Sequence, residues 1–362
     1  MKPFSPLYFI KENLARCIAL MLMIFLSYGV YLGGLYVTNP LDNWSLAFEY
    51  NESFLVAGPA SFDENFSQYT AFRQEMEHHP DIIVLEQGPG QSINWTTIMG
   101  FESGSFSLTF RSVEDFKTYC EYFDIDCDFS KLRNGSLILS DRFAKNLSLD
   151  LGDIVDKHYA AQVYDTFTLD ALTTEAGYTQ YYICEESVDC PNLLLLANGI
   201  DSEEFFQLAT AARDRNLVSL GNNVKETITD QFRFFHIIYT FVVLLLSVIL
   251  AVTINAAFVG MYQRRNFEFA VYRAIGISKK RIIGKIFGEL LWMDLITLAA
   301  GGILFFLGLY LFNHLVLYPA GNYLQYIHPT AVIGLVLCNA TMLVPLIVTR
   351  CRQLLKADIC EY

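Results

Sequence analysis

From His236 to Gln263 the chain carries no formal charge, and Asn255 is its main interior polar residue. A stretch of that length and character reads as a helix that crosses a bilayer. It leads into Gln263 to Glu289, where seven basic residues (Arg264, Arg265, Arg273, Lys279, Lys280, Arg281, Lys285) stand against two acidic ones, Glu268 and Glu289. A second long apolar segment begins near Ile286. Lys and Arg collect on the cytoplasmic side of membrane helices, so this short loop is expected to face the cytoplasm and to orient the rest.

The loop has internal order. Phe267, Val271, Ala274 and Ile275 recur at helical spacing and give one apolar stripe, with Glu268 and Arg273 on the other face. Gly276 is a natural stop, because glycine takes the left-handed backbone of a helix C-terminus without steric cost. Ser278 can cap the next helix. The pattern predicts a short amphipathic helix on the inner membrane surface, a sharp corner and a return into the bilayer. Charge and periodicity alone are equally met by an ordinary basic inter-helix loop.

The residues add more. R-x-x-E-F-A-V-Y-R-A-I-G-I-S-K-K-R-I, starting at Arg265 and with Glu289 downstream, resembles the signature between the second and third membrane helices of FtsX/MacB-type ABC transporter permeases. Ala270 stands where that family commonly has Gly, and Ile277 where it has Ala. The resemblance implies that this segment rests on a separate ATPase subunit, with Arg265, Glu268, Arg273, Ala274, Gly276 and Ser278 as the ATPase-coupling residues.

The net charge of -13 over 362 residues hides an asymmetry. Asp42 to Asp230 holds 32 acidic and 11 basic residues, a balance of -21, so the remainder carries +8. An acidic outer domain and a basic inner rim fit the orientation. The acidic surface could attract cationic peptides or simply be solvated, and it excludes nucleic acid as a partner, since phosphate contacts need clustered Lys and Arg.

Taken in order, residues 1–16 form a cytoplasmic N-terminal segment and 17–38 a first membrane helix. The uncharged run Cys17 to Pro40 is too long for a signal-peptide core and lacks an obvious small-x-small cleavage site. Gly29 and Gly33, four apart, would let another helix approach closely. Residues 39–232 read as an α+β domain outside the membrane, inserted between helices 1 and 2. The second membrane helix is 233–262, the coupling segment 263–285, the third helix 286–312, the outer loop 313–329, the fourth helix 330–349 and the cytoplasmic tail 350–362. Glu289 and Asp294 open the third helix, either as a proton relay or paired with Lys285 or the coupling helix. Tyr318, Tyr323 and Tyr326 in the outer loop fit an interface belt, and Pro345 is expected to bend the fourth helix.

Within the outer domain, Ser53 to Ala57, Phe62 to His79 and Asp81 to Glu86 read as strand, helix and strand. The Gly-Pro-Gly that follows, Gly88 to Gly90, lacks the Lys and Ser or Thr of a phosphate loop. Ser136 to Val155 reads as strand, short helix and strand, and resembles the corresponding step of MacB-type outer domains, with Ser148 in place of the usual Gly. Asn192 to Ala197, Asp201 to Arg215 and Leu217 to Leu220 give a second strand, helix and strand. Two such units are expected to flank an inserted β-rich lobe, and the pattern from Val224 predicts a second membrane helix that starts well outside the bilayer. No pattern is assigned between Asn94 and Phe129.

Cys120, Cys127, Cys184 and Cys190 lie in this domain. The close pairs suggest disulfides 120 with 127 and 184 with 190, although four cysteines allow three pairings and free thiols are compatible with an anaerobic setting. No His stands at metal-ligand spacing from them, so no metal site is expected. Asp141, Asp153, His78 and His79 fit turns and a helix end better than catalysis, and the sequons at Asn51, Asn65, Asn94, Asn134 and Asn146 are incidental in a protein of bacterial type.

The expected architecture is therefore four membrane helices, both termini cytoplasmic, with one large outer domain. The resemblance implies a multi-pass permease subunit in a bacterial cell membrane, paired with a second permease as homodimer or heterodimer. It is not an enzyme and binds no cofactor itself, because no G-x-x-x-x-G-K-[ST] occurs and ATP would be bound by the partner ATPase. Its cargo would be a peptide, antibiotic or lipid-linked molecule. The other role open to the resemblance is an FtsX-like anchor that activates cell-wall hydrolases outside the membrane and transports nothing.

Overall fold

The computed structural model describes residues 11, 14–47, 54–59, 66–160, 162–184, 192–220, 224–263 and 265–356. The chain divides into two compact units, one of Met1–Thr38, Phe234–Phe312 and Leu324–Tyr362, the other of Asn39–Arg233 and Asn313–Tyr323.

The first unit is helical. Its elements are α1 (Leu14–Phe25), most of α2 (Ser27–Ala47), the greater part of α7 (Val224–Gln263), α8 (Asn266–Ala274), α9 (Lys279–Phe312) and α10 (Pro329–Lys356). Three spans among the described residues are long and apolar enough to cross a membrane: Ile237–Ala257, Lys279–Ala320 and Pro329–Thr349. The first expected span is two helices meeting at Leu26, whose carbonyl takes the Gly29 N–H at 2.9 Å. Helix α7 is unbroken for 40 residues, about 60 Å at the α-helical rise, roughly twice the bilayer's hydrocarbon thickness. That continuity is what the pattern from Val224 predicts. Cys17, Ile24, Val243, Ile286, Met293 and Cys338 belong to the buried core of this unit.

Glycines set how closely these helices cross. A methyl built on Gly34 would lie 2.7 Å from the Ala331 Cα and 2.6 Å from the Tyr239 hydroxyl. One on Gly301 would lie 2.8 Å from the Phe25 ring. The glycines singled out by their spacing behave differently: Gly29 is exposed with nothing within 4 Å, and Gly33 meets only the edge of Tyr239, at 3.7 Å.

Among the described residues the second unit is built on one mixed sheet of nine strands, in the order β11-β1-β10-β2-β5-β9-β6-β8-β7, with a separate β3-β4 pair. The strands are β1 (Phe54–Pro59), β2 (Ile82–Gln87), β3 (Trp95–Thr96), β4 (Glu102–Ser103), β5 (Phe106–Phe110), β6 (Ser136–Ser140), β7 (Ile154–Val155), β8 (Phe167–Thr173), β9 (Thr179–Ile183), β10 (Asn192–Ala197) and β11 (Leu217–Leu220). Helices α3 (Phe66–Glu77), α4 (Val113–Phe123), α5 (Asp141–Leu147) and α6 (Ser202–Asp214) cover it. The run of four leucines in β10 is explained by burial on both faces. Leu193 and Leu195 pack with Phe72 and Phe205, whereas Leu194 and Leu196 pack with Phe110 and Phe116.

The lobe expected as an insertion is the continuation of the same sheet. β5 and β9 run parallel, as do β6 and β8, and β2 joins β5 at the Gln87 and Phe110 pair. The unassigned stretch holds β3, β4, β5 and α4. Ser112 caps α4 by accepting the Asp115 N–H at 3.1 Å, and Asp124 ends it in the left-handed region at φ 54°.

Candidate functional site

The corner between α7 and α9 is where the chain's chemistry concentrates. Helix α8 begins at Arg265, in the N-cap position, and ends in a Schellman turn. Gly276 sits at φ +87°, its N–H donates to the Arg273 carbonyl at 3.0 Å, and the Ile277 N–H donates to the Tyr272 carbonyl at 3.0 Å. Tyr272 and Ile277 then pack on the same apolar core, the hydrophobic contact that accompanies this turn. The Ser278 carbonyl accepts from Arg281 and Ile282, placing Ser278 at the N-cap position of α9. Arg273 therefore enters the corner through its carbonyl, and Gly276 and Ser278 set the reversal between two helices.

Arg265 and Glu268 do more than flank this turn. The Arg265 guanidinium donates through Nε to Glu268 at 2.7 Å and through Nη1 to Glu289 at 2.7 Å. Lys285 Nζ donates to Glu268 at 3.0 Å and stands 4.0 Å from Glu289. The Tyr272 hydroxyl donates to Glu268 at 2.8 Å, and the Lys285 ammonium lies 4.8 Å from that ring's centroid. Arg265 also stacks over Phe269, 5.0 Å from its centroid. Two cations and two carboxylates balance here, with the Glu289 side chain fully buried. Burial would raise the Glu268 carboxyl, but hydrogen bonds and charge from Arg265, then Lys285 and Tyr272, override it and hold it at about 2.

Such a cluster adds little net stability, because removing four charges from water offsets most of their attraction. Its effect is geometric: it fixes the angle at which α8 leaves α9. The sign of its pH dependence follows. A carboxylate held below its ordinary value of 4.5 contributes fully above that value and loses its contribution as pH falls toward about 2. Unfolding of the detergent-solubilised protein between pH 5 and pH 3 is expected to become easier with each step down. Glu268→Gln should flatten that slope; an unchanged slope would remove Glu268 as its source.

The apolar stripe read from the sequence lies on the other side of α8. Phe267 is 76% exposed and Ile275 69%, with Val271 and Ala274 exposed between them, whereas Phe269 is buried. The inward face is thus the one bearing Glu268, Phe269 and Tyr272. Phe269 and Tyr272 lie within the signature without being among the coupling residues, Lys285 follows it, and Glu289 pairs with the coupling segment through Arg265, one of the two readings open for it in the sequence. Their sequence signal was spacing: Arg265 with Glu268 and Lys285 with Glu289 are three and four apart on helices. Asp294, also buried, stays outside the cluster, and its Oδ1 has no hydrogen-bond partner among the described residues.

Cys120 and Cys184 are buried and Cys127 is half-buried; Cys190 lies outside the described residues. Burial, and then the charge of Cys127, pushes the Cys120 thiol up, and burial, then the charge of Asp128, pushes Cys127 up to about 12. Among the described residues, no group of three or more His, Cys, Asp or Glu could hold a metal ion.

Three membrane-capable helices, a charged corner between two of them and a separate α/β unit fit a multi-pass membrane protein. Residues 237–352 match the family of the FtsX-like permease C-terminal domain. No curated protein sequence matches the chain. Among solved structures, a domain of a proposed permease protein from Porphyromonas gingivalis aligns over 47% of this chain and 89% of its own length, at 9% identity and a TM-score of 0.27.

Proposed function

We propose that the chain is the permease subunit of a two-component ABC system that transmits ATPase-driven movement to an α/β domain outside the cell. The observation that carries this reading is the outward apolar ridge of α8, Phe267, Val271, Ala274 and Ile275, on a helix whose opposite face is locked by four buried or half-buried charges. A ridge held rigidly in that way suits a partner that pushes on it. In this reading α1 and α2 supply a fourth membrane span, both termini and α8 lie in the cytoplasm of a bacterial cell, and the α/β unit lies outside. The ATPase binds ATP and docks on α8. A second permease, identical or related, completes the dimer, and the 40-residue α7 carries movement outward to act on a peptide, antibiotic or lipid-linked cargo. The pairings of Cys120 with Cys127 and Cys184 with Cys190 belong to the same reading, since an exported domain meets an oxidising compartment. Peptide mapping without reductant should recover both as linked peptides; alkylated single peptides would exclude them.

The test is capture of the tagged full chain in mild detergent, with ATP hydrolysis measured on whatever comes with it. An ATPase is expected in the complex. Glu268→Lys would place a third cation beside Arg265 and Lys285, force α8 off its seat and reduce ATPase capture by about tenfold or more, roughly 1.4 kcal/mol. Capture of a cell-wall hydrolase without an ATPase would replace this function with that of a regulatory anchor.

A further inference from the structure

The turn between α9 and α10 is assigned to the α/β unit, although the helices on either side of it are not. Its residues run through a short π-helix, Asn313–Leu317, and a 3-10 turn, Tyr318–Ala320, to Gly321 in the left-handed region at φ +63°. Three side chains of the α/β unit hold the last of these by their backbone carbonyls. Arg142 Nε donates to the Gly321 carbonyl at 3.1 Å, the Tyr178 hydroxyl donates to the same oxygen at 2.8 Å, and Asn146 Nδ2 donates to the Ala320 carbonyl at 3.3 Å. Asn39 of α2 donates to the Tyr323 carbonyl.

The fit is backbone against backbone. A methyl on Gly321 would collide with the Arg142 carbonyl and the Asn146 N–H, and would sit 2.8 Å from the Asn146 Cα. Arg142 forms no ion pair among the described residues: Nη1 donates to the Ala176 carbonyl at 3.0 Å, the guanidinium lies 4.6 Å from the Tyr178 ring centroid, and Nη2 is buried without a partner. Burial lowers this guanidinium below its ordinary value. Tyr178 is itself fixed, stacked on Trp95 at 4.0 Å and edge-on to Phe143 at 5.8 Å. Desolvating a cation to hold two carbonyls is costly, and a loop that needed only to pass from one helix to the next would not require it.

We infer that Asn313–Tyr323 is a strap seated in a built groove of the α/β unit, and that Arg142, Asn146 and Tyr178 are positioning residues through which movement of α9 and α10 reaches the sheet independently of α2 and α7. The seating is a property of the chain itself; the transmission rests on the permease function proposed above.

Hydrogen exchange on the full chain in detergent tests the seating without any partner. The Gly321 and Asn322 amides donate within the turn, to Tyr318 and Leu317, and their protection reports on it. Arg142→Ala and the milder Tyr178→Phe are expected to speed their exchange by about tenfold and by a smaller factor respectively, with the amides of β1 and β10 unchanged. Equal exchange in wild type and both variants would overturn the seating. Transmission is read on the ATPase complex: Arg142→Ala should retain ATPase capture yet lose most of the difference in β6 and β9 amide exchange between the complex with and without ATP, and an unchanged difference would reduce the strap to a structural contact. Failure of the wild-type chain to bring down any ATPase would overturn the permease function and the transmission with it, while the exchange result would still decide the seating.

Discussion

Replacing Arg265 with Ala is expected to cost about 3 to 5 kcal/mol of stability, the usual consequence of leaving a buried charge without its partner. Glu289 is fully buried, and after the change the cation left beside it is Lys285 at 4.0 Å. The balance of two cations against two carboxylates becomes one against two. Arg265→Ala combined with Glu289→Gln restores one against one, because Lys285 and Glu268 remain bonded at 3.0 Å. The double variant should therefore recover much of the loss, short of the contact with Phe269 that Arg265 also makes. Heat or denaturant unfolding of the solubilised wild type, both single variants and the double variant gives the coupling directly. If the double variant loses the sum of the two single losses, the four side chains do not act as one unit, and the rigid seat of α8 goes with them.

That corner shows both the reach and the limit of reading the sequence. Gly276 and Ser278 stood out by residue type, Arg265 and Glu268 through the resemblance, and the turn at Gly276 is the helix stop expected there. The direction in which α8 faces did not follow. Periodicity finds an apolar stripe, but a stripe faces inward only when nothing better fills the inside. Here the inside is filled by an ion cluster roofed by Phe269 and Tyr272, and two of its four charges come from α9, about a turn or more along another helix. Pairing between elements is not written in the period of either one.

In the α/β unit the same division holds. β1, β2, β6, β10 and β11 announce themselves by length and apolar content. The sheet's continuity does not, because it depends on β5 lying parallel to β9, strands about seventy residues apart. The stretch from Asn94 to Phe129 was opaque for two physical reasons. β3 and β4 are two residues each, below any periodic signal, and α4 is lined with aromatic side chains that suit strands as well as helices. One usable mark was there: Ser112 followed three residues later by Asp115 is a helix start, and Ser112 does cap α4. The strap was hidden for a simpler reason, since nothing in Gly321 or Arg142 names the other.

Gly34→Leu is the second change expected to act strongly. Its Cβ alone would lie 2.7 Å from the Ala331 Cα, a backbone atom of α10 that cannot turn aside as a side chain would. The other near atom, the Tyr239 hydroxyl at 2.6 Å, already donates to the Val30 carbonyl at 3.1 Å, so displacing it breaks a buried hydrogen bond as well. Overpacking of this kind costs about 1 to 3 kcal/mol, and a leucine against a main chain belongs at the upper end. Gly29→Leu, five residues earlier on the same helix, meets nothing within 4 Å and should stay within about 0.5 kcal/mol of wild type. Unfolding midpoints of the two variants, measured at equal protein and detergent concentrations, separate packing within the chain from packing between chains. A large loss for Gly34→Leu beside none for Gly29→Leu assigns the close approach to α10. Equal behaviour would mean that α2 and α10 do not cross at Gly34. Oligomeric state measured on Gly29→Leu then tests the outer face of α2: a smaller assembly than wild type with an intact midpoint would place Gly29 in the proposed contact with a second permease.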